Sequence, residues 1–442
     1  MDWKQVFEGK KITVAGLGLL GRSAGDAAFL AENGAELIVT DLKHKDELAV
    51  SLKRLKRYPN ITYRLGGHDE ADFTGRDFIL KGPAVPTDSP YIAAARKAGI
   101  PIKMSASWFA ELAKIPVVGI TGTRGKTTVT YMLRNIMQAA GMQVIIGGNV
   151  RGVSTLSLLE SVTKDSIALL ELDSWQLQGF GEARMSPNIA VFTTFYPDHL
   201  DYYRGDMDAY LADKAQIFLN QEASDTLIVG AQAHDIVAKA YGKAIRSKVV
   251  VADPEHFPKN WTLRVPGAHN RANAALALES ARTLGIDDDI SRRALEAFGG
   301  VPGRLELVRE VAGVKFYNDT TATTPEATIA ALKALDTGNK NIVLILGGAD
   351  KDLVIDTLLK EVDATCKATA LLAGTGTGKV TETYKLKPGT EPFNNLKDAF
   401  EAAVEIAKEG DTVLLSPAFA SFGMFKNEFD RGEQFNALVK AL

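Results

Sequence analysis

Disulfide chemistry is the first thing this chain lacks. Its 442 residues hold a single cysteine, Cys366, which excludes an intrachain disulfide framework. Cys366 falls in an apolar-rich segment and reads as a small buried hydrophobe. Charge of one sign is missing too: 51 Lys and Arg against 54 Asp and Glu leave a formal net charge of −3. That balance gives no general attraction to nucleic acid or to an anionic membrane surface. No apolar run reaches the roughly 18 residues of a membrane span, and MDWKQVFEGKK at the start has no apolar signal core. A soluble cytoplasmic chain is expected, and nothing in it demands more than a monomer. Low-complexity segments and fixed-period repeats are absent, and the length suggests two to four domains.

What is present is concentrated in residues 119–130, GITGTRGKTTVT. An apolar run at 115–120 leads into Gly122-Thr123-Arg124-Gly125-Lys126-Thr127-Thr128, and a helical pattern follows from Val129 to Met142. Strand, glycine turn, Lys-Thr and helix N-terminus together make a phosphate cradle. Backbone N–H groups and the positive end of the helix dipole face the anion, Lys126 adds a point charge, and a Thr hydroxyl ligates Mg²⁺. The usual spacing G-x-x-x-x-G-K-[ST] is not met, because Gly119 stands six residues before Gly125. The compact form G-T-x-G-K-T-T stands in its place.

The chain reads as three α/β parts. A strand at 11–15 runs into Gly16-Leu17-Gly18-Leu19-Leu20-Gly21, an alanine-rich helix follows to about Asn33, and a strand at 36–40 ends in Asp41. This is the G-x-G-x-x-G and trailing acid of a Rossmann βαβ unit. The glycines serve close helix–strand packing equally well with nothing bound. A redox dinucleotide is disfavoured, since no second dinucleotide half is found. This Rossmann-like domain is expected over residues 1–107 and includes the turn-rich Gly82-Pro83-Ala84-Val85-Pro86. A central phosphate-loop domain is expected over 108–300. Its strands at 144–146, 167–170, 189–192 and 226–229 alternate with helices, as in a parallel sheet covered on both faces. A second Rossmann-like α/β layer is expected over 301–442, with strands at 314–317, 342–346, 368–372 and 412–415. Gly374-Thr375-Gly376-Thr377-Gly378-Lys379-Val380 mimics a phosphate loop there, but Val380 replaces the metal-binding hydroxyl, so it reads as a glycine-rich βα turn.

Several polar residues gather where apolar strands end. Glu171 directly follows Ala168-Leu169-Leu170, and beyond the strand ends of an open α/β sheet an acid can share a metal with the phosphate-loop Thr. His199, in Pro197-Asp198-His199-Leu200-Asp201, offers an imidazole at the same edge, as a ligand or as a structural hydrogen bonder. Lys214 lies on an amphipathic helix, and periodicity does not exclude a solvated lysine. Asn270 and Asn273 share a helix face and suit either a base edge or a helix cap.

GTRGKTT, LELDSWQL, PDHLD, the lysine of YLADKAQIF and GAHNRAN stand in the order seen in the Mur ligases. These are the ATP-dependent amide-forming enzymes of peptidoglycan precursor synthesis, and the chain resembles them over nearly its whole length. VAGLGLLGRS, GPAVP, GRLELV, NDTTATTPEAT, LGGADKDL and SPAFASFGMFKNEFDRGEQF resemble the branch that adds D-glutamate to UDP-N-acetylmuramoyl-L-alanine. The resemblance implies ATP and one or two Mg²⁺ ions as cofactors. Gly122, Thr123, Arg124, Gly125, Lys126, Thr127 and Thr128 would cradle the phosphates. Thr127, Glu171, His199 and Lys214 would hold the metal, Lys214 as a carbamate formed with CO₂. Asn270, Asn273, Arg304 and Asp319 would hold the rest of ATP. Gly18, Leu19, Leu20, Asp41 and Asn149 fall where the UDP-sugar binds, and Thr323, Lys351 and Ser421 where D-glutamate does. The third domain would close over ATP to exclude water.

Departures from the family pattern accompany the match. Arg124 stands where Asn or Ser is common, Asp173 where Ser is, Thr321 where Lys is, Gly303 where His is and Gly423 where Asp is. S-P-G-V-P becomes Gly82-Pro83-Ala84-Val85-Pro86, and N-x-T-P-D-H becomes Thr194-Phe195-Tyr196-Pro197-Asp198-His199. A ligase for another amino acid or acceptor, or a catalytically impaired nucleotide-binding homologue, are the rival expectations.

Overall fold

The computed structural model describes residues 3–18, 21–150, 153–199, 202–265, 267–350, 354–383 and 391–442, without the side chains of 382 and 383. Three separate sheets organise it. The first holds β1 (Lys11–Ala15), β2 (Glu36–Asp41), β3 (Ile61–Leu65), β4 (Phe78–Lys81) and β5 (Ile102–Lys103), all parallel, in the order β3-β2-β1-β4-β5. The second holds β6 (Val117–Thr121), β7 (Gln143–Gly148), β8 (Ser166–Glu171), β9 (Ile189–Phe192), β10 (Thr226–Gly230) and β11 (Lys248–Ala252). These too are all parallel, in the order β11-β10-β9-β6-β8-β7. The third holds β12 (Glu306–Val311), β13 (Val314–Asn318), β14 (Ile342–Gly347), β15 (Cys366–Leu372) and β16 (Thr412–Leu415), ordered β12-β13-β16-β14-β15, with only the β12–β13 pair antiparallel.

The inner strands are buried on both faces, as β6, β10 and β14 are at every position. Their side chains therefore form continuous apolar runs rather than alternating ones. Each fully buried Val, Leu or Ile contributes about 1.5–3 kcal/mol. The first two sheets share one core, from Phe7 and Phe29 through Trp108 to Phe192 and Phe218. The chain divides into two compact units: residues 1–258 with 272–295, which carry the first two sheets, and residues 259–271 with 296–442, which carry the third. Cys366 is half-buried at the start of β15, and burial pushes its thiol up to about 12. Among the described residues no helix is long and apolar enough to cross a membrane.

Strand order positions the chemistry. In the second sheet the chain steps from β6 out to β7, returns to β8, then crosses to β9 on the other side of β6. The crevice at the C-terminal end of β6 is thus a topological switch point, where ligands of open α/β sheets bind.

Candidate active site

The phosphate loop follows β6 at that switch point. Gly122 has φ 139 and Gly125 φ 88, and helix Lys126–Ala139 begins directly after them. A Cβ on Gly122 would collide with Thr193 and one on Gly125 with Asn273, so both positions need glycine for space as well as for backbone angle. The segment after β9 braces the loop. Thr123 N donates to Thr194 O at 2.7 Å, Arg124 N to Thr194 Oγ1 at 3.0 Å, and Thr193 Oγ1 to Arg124 O at 2.5 Å. Thr123 Oγ1 donates to Tyr196 O at 3.1 Å and accepts from Tyr196 N at 3.0 Å. Thr127 and Thr128 stand half-buried in the first helical turn, and Arg124 is exposed, its guanidinium 6.0 Å from the Tyr196 ring centre.

Two lysines meet at this loop. Lys126 Nζ donates to Gly122 O at 2.9 Å and Thr123 O at 3.1 Å, and Lys214 Nζ donates to Gly122 O at 2.9 Å. Lys214 is 1% exposed on helix Met207–Ala215, 4.7 Å from the ring centre of Tyr210 one turn earlier. Burial drives its ammonium well below the usual lysine range; the charge of Lys126 pushes the same way, against Asp173, Asp198 and Asp213. The solvated-lysine alternative is thereby removed. Glu171 ends β8, is buried, and accepts from Asn149 Nδ2 at 3.4 Å. His199 takes φ 51 and packs its ring 4.6 Å from Trp175 and 6.0 Å from Tyr210. Glu171, His199, Lys214 and the loop thus line one sheet edge. Asp173 caps helix Ser174–Glu182: its side chain accepts from Gln176 N at 2.8 Å, while Gln176 Oε1 accepts from Asp173 N at 3.2 Å.

Tyr210 and Asp213 were not singled out from sequence, although their i−4 and i−1 places before Lys214 put them beside it. Lys81 and Gln178 were missed as well. No local pattern marks the contacts of Lys81 with Gln178 and of Gln178 with Asp213, which join residues 97 and 35 apart.

In the first sheet, Asp41 locks the glycine-rich turn. Its carboxylate accepts from Gly18 N at 3.0 Å and Lys43 N at 2.9 Å. Asn149 bonds Arg22 as well as Glu171, so it joins the first sheet's turn to the second sheet's edge. Leu19 and Leu20 lie outside the described residues.

The helix Ala268–Thr283 holds Asn270 and Asn273, both buried; Asn273 belongs to the unit with the phosphate loop and Asn270 to the other. Asn270 shares its unit with Arg304 and Asp319. Asp319 accepts from Leu305 N at 3.0 Å and Ser416 Oγ at 2.8 Å. Burial pushes its carboxyl up to about 7, and Arg304 pulls in the opposite direction. Thr323 N bonds Thr321 O at 2.9 Å. Ser421 is buried one residue beyond Ala420, which bridges to Ala349 at 2.9 and 3.1 Å. Lys351 lies outside the described residues. Thr375 and Thr377, in the phosphate-loop mimic, bond backbone at Asp350 N, Gly348 N and Leu372 O, consistent with a structural turn.

Fold and loop together define the class: a three-sheet α/β protein with a phosphate loop at a sheet switch point. Comparison with known proteins makes the kinship specific. The family model for the MurD-like N-terminal domain matches residues 10–104, that for the Mur ligase middle domain 120–261, and that for the Mur ligase glutamate ligase domain 303–419. A protein of Roseiflexus sp. (strain RS-1) named UDP-N-acetylmuramoylalanine–D-glutamate ligase is 40% identical over 98% of this chain and 99% of its own. One of the same name from Borreliella burgdorferi (strain ZS7) is 36% identical over 97% of each. The fold is that of UDP-N-acetylmuramate-alanine ligase MurC from Thermotoga maritima, at TM-score 0.60 and 21% identity over 98% of this chain and 99% of that one. The chain belongs to the Mur ligase family.

Proposed function

We propose that the chain is an ATP-dependent ligase that joins D-glutamate to UDP-N-acetylmuramoyl-L-alanine in cytoplasmic peptidoglycan precursor synthesis. The observation that carries this reading is a brace of two lysines on the phosphate loop, beside Glu171 and His199, in a chain 40% identical to a ligase of that name. A carboxylate oxygen of the alanyl group attacks the γ-phosphorus of ATP, the bond to ADP breaks, and an acyl phosphate results. The free amine of D-glutamate attacks the acyl carbon, the carbonyl pair moves onto oxygen, and collapse of the adduct expels inorganic phosphate while the amine proton passes to water.

Gly122, Thr123, Arg124, Gly125, Lys126, Thr127 and Thr128 hold the phosphates, with Lys126 countering charge on the transferring group. Asn270, Asn273, Arg304 and Asp319 hold the remainder of the nucleotide. Gly18, Leu19, Leu20, Asp41 and Asn149 serve the UDP-sugar, and Thr323, Lys351 and Ser421 the amino acid, where a cation and a hydroxyl suit a carboxylate. Among the described residues no three His, Cys, Asp or Glu side chains gather as a metal cluster. Mg²⁺ is generally held by one or two carboxylates together with phosphate oxygens and water rather than by an all-protein cage. Thr127, Glu171, His199 and a carbamylated Lys214 would hold one or two such ions, which neutralise phosphate charge. The carbamate forms when the neutral Lys214 amine attacks CO₂ and releases a proton, turning a cation into an oxygen ligand.

A panel of amino acids with UDP-N-acetylmuramoyl-L-alanine and ATP, read as phosphate release, tests the reading. D-Glutamate alone should support turnover, and ¹⁸O in the substrate carboxylate should reach the phosphate; turnover with another amino acid only would overturn the assignment.

A further inference from the structure

The loop 82–86 and the helix that carries Lys214 are joined by a polar chain, buried at Lys81 and half-buried at Gln178 and Asp213, that the chemistry above does not use. Lys81 ends β4 and is 2% exposed. Its Nζ donates to Val85 O at 2.7 Å, closing the loop on itself, and to Gln178 Oε1 at 3.3 Å. Because Oε1 accepts, the amide must present its N–H groups onward. Gln178 Nε2 donates to Asp213 Oδ2 at 2.7 Å and to Tyr202 OH at 3.2 Å. Tyr203 OH donates to the same Asp213 oxygen at 2.8 Å. Asp213 immediately precedes Lys214. Cation, amide and carboxylate therefore line up in one direction, each hydrogen bond polarising the next.

The other end of the chain meets the sugar-nucleotide turn. Gly82 N bonds Ala15 O at 2.8 Å, and a Cβ on Gly16 (φ 84) would stand 2.8 Å from Val85 Cγ2. Loop 82–86 thus rests directly on the first glycine of G-x-G-x-x-G. A ligand that contacts this turn therefore bears on Val85 O, hence on Lys81, Gln178 and Asp213. A ligand that stabilises one end of the chain stabilises the arrangement the other end carries, and such coupling is reciprocal.

We propose that Lys81 and Gln178 are positioning residues that couple sugar-nucleotide binding at the turn opening with Gly16 to carbamylation of Lys214. The proposal rests on the functional reading above. The test is ¹³C NMR of the full-length protein titrated with ¹³C-bicarbonate, with and without UDP-N-acetylmuramoyl-L-alanine. In the wild type the sugar nucleotide should lower the bicarbonate concentration for half-carbamylation about fivefold, within the usual range of site coupling. Lys81→Met and the isosteric Gln178→Glu should abolish that shift, while a nonhydrolysable ATP analogue still binds as in the wild type. A shift retained in both variants, or absent from the wild type although the sugar nucleotide binds, overturns the coupling alone. No binding of the sugar nucleotide to the wild type overturns both the coupling and the assigned substrate. A purely structural role is distinguished by weakened binding of all ligands in step with a lowered melting temperature.

Discussion

Lys126 and Lys214 share one acceptor, the carbonyl oxygen of Gly122, each at 2.9 Å. Two cations on one oxygen oppose each other, and Lys214 is the more buried, so its ammonium form is the more disfavoured of the two. Lys126→Met should lower kcat/KM about 100- to 1,000-fold, as loss of one transition-state donor does, with an unchanged circular dichroism spectrum. Lys214→Ala should be inactive and regain part of its rate with added acetate or formate. Undiminished turnover in either variant would remove that lysine from the site.

Asp319 makes stability depend on pH. Its carboxyl titrates at about 7 in the folded chain because of burial, against about 3.9 when unfolded. Between those values the folded state keeps a proton that the unfolded state has lost, so stability falls as pH rises from about 4 to about 7 and is flat above. The difference sets an upper bound of about 4 kcal/mol. Asp319→Asn should therefore gain on the wild type as pH rises. Urea unfolding of both proteins at pH 5 and 7.5 checks this, and an equal gap at the two pH values would mean that Asp319 does not titrate in that window.

The sequence pattern was most informative where strands are buried on both faces. β1, β2, β6 through β10 and β13 through β16 all stood out as apolar runs. Of the strands that did not, β3, β5, β11 and β12 are sheet edges and β4 is a short inner strand. β11 exposes most of its residues, and β12 reads ELVREV with a register shift between Leu307 and Arg309. An edge strand meets solvent, so polar residues blur the signal in β3 and β12, whereas β11 stays apolar as KVVVA although exposed. The phosphate loop was equally plain, because its chemistry is contiguous. The relay through Lys81, Gln178 and Asp213 was invisible, because only the fold brings those residues together.

Two of the departures from the family pattern touch each other. Thr321 donates to Gly303 O through its backbone N at 3.0 Å and its Oγ1 at 2.9 Å. Gly303 has φ 73, and a Cβ there would meet Thr320 Cγ2 at 2.9 Å. Gly303→Ala should cost about 1–2 kcal/mol of stability, measured by denaturant unfolding, from left-handed strain alone. Gly303→His and Thr321→Lys should not act independently. A double-mutant cycle on ATP affinity should show about 0.5–3 kcal/mol of coupling, whereas strict additivity would mean that the two positions diverged separately.

Asp173 stands where the family pattern it resembles would place serine, and both residues are strong helix N-caps. Asp173 and Gln176 form a reciprocal capping box at the start of helix Ser174–Glu182. Asp173→Ser should leave stability within about 0.5 kcal/mol, whereas Asp173→Ala should lose about 1 kcal/mol. The charge has a separate effect, because Asp173 favours the ammonium form of Lys214. Serine keeps the cap and removes that charge, so the Asp173→Ser enzyme should reach half-maximal activity at a lower bicarbonate concentration than the wild type. A requirement that is unchanged or raised would show that the carboxylate of Asp173 does not act on Lys214, leaving the cap as its whole contribution.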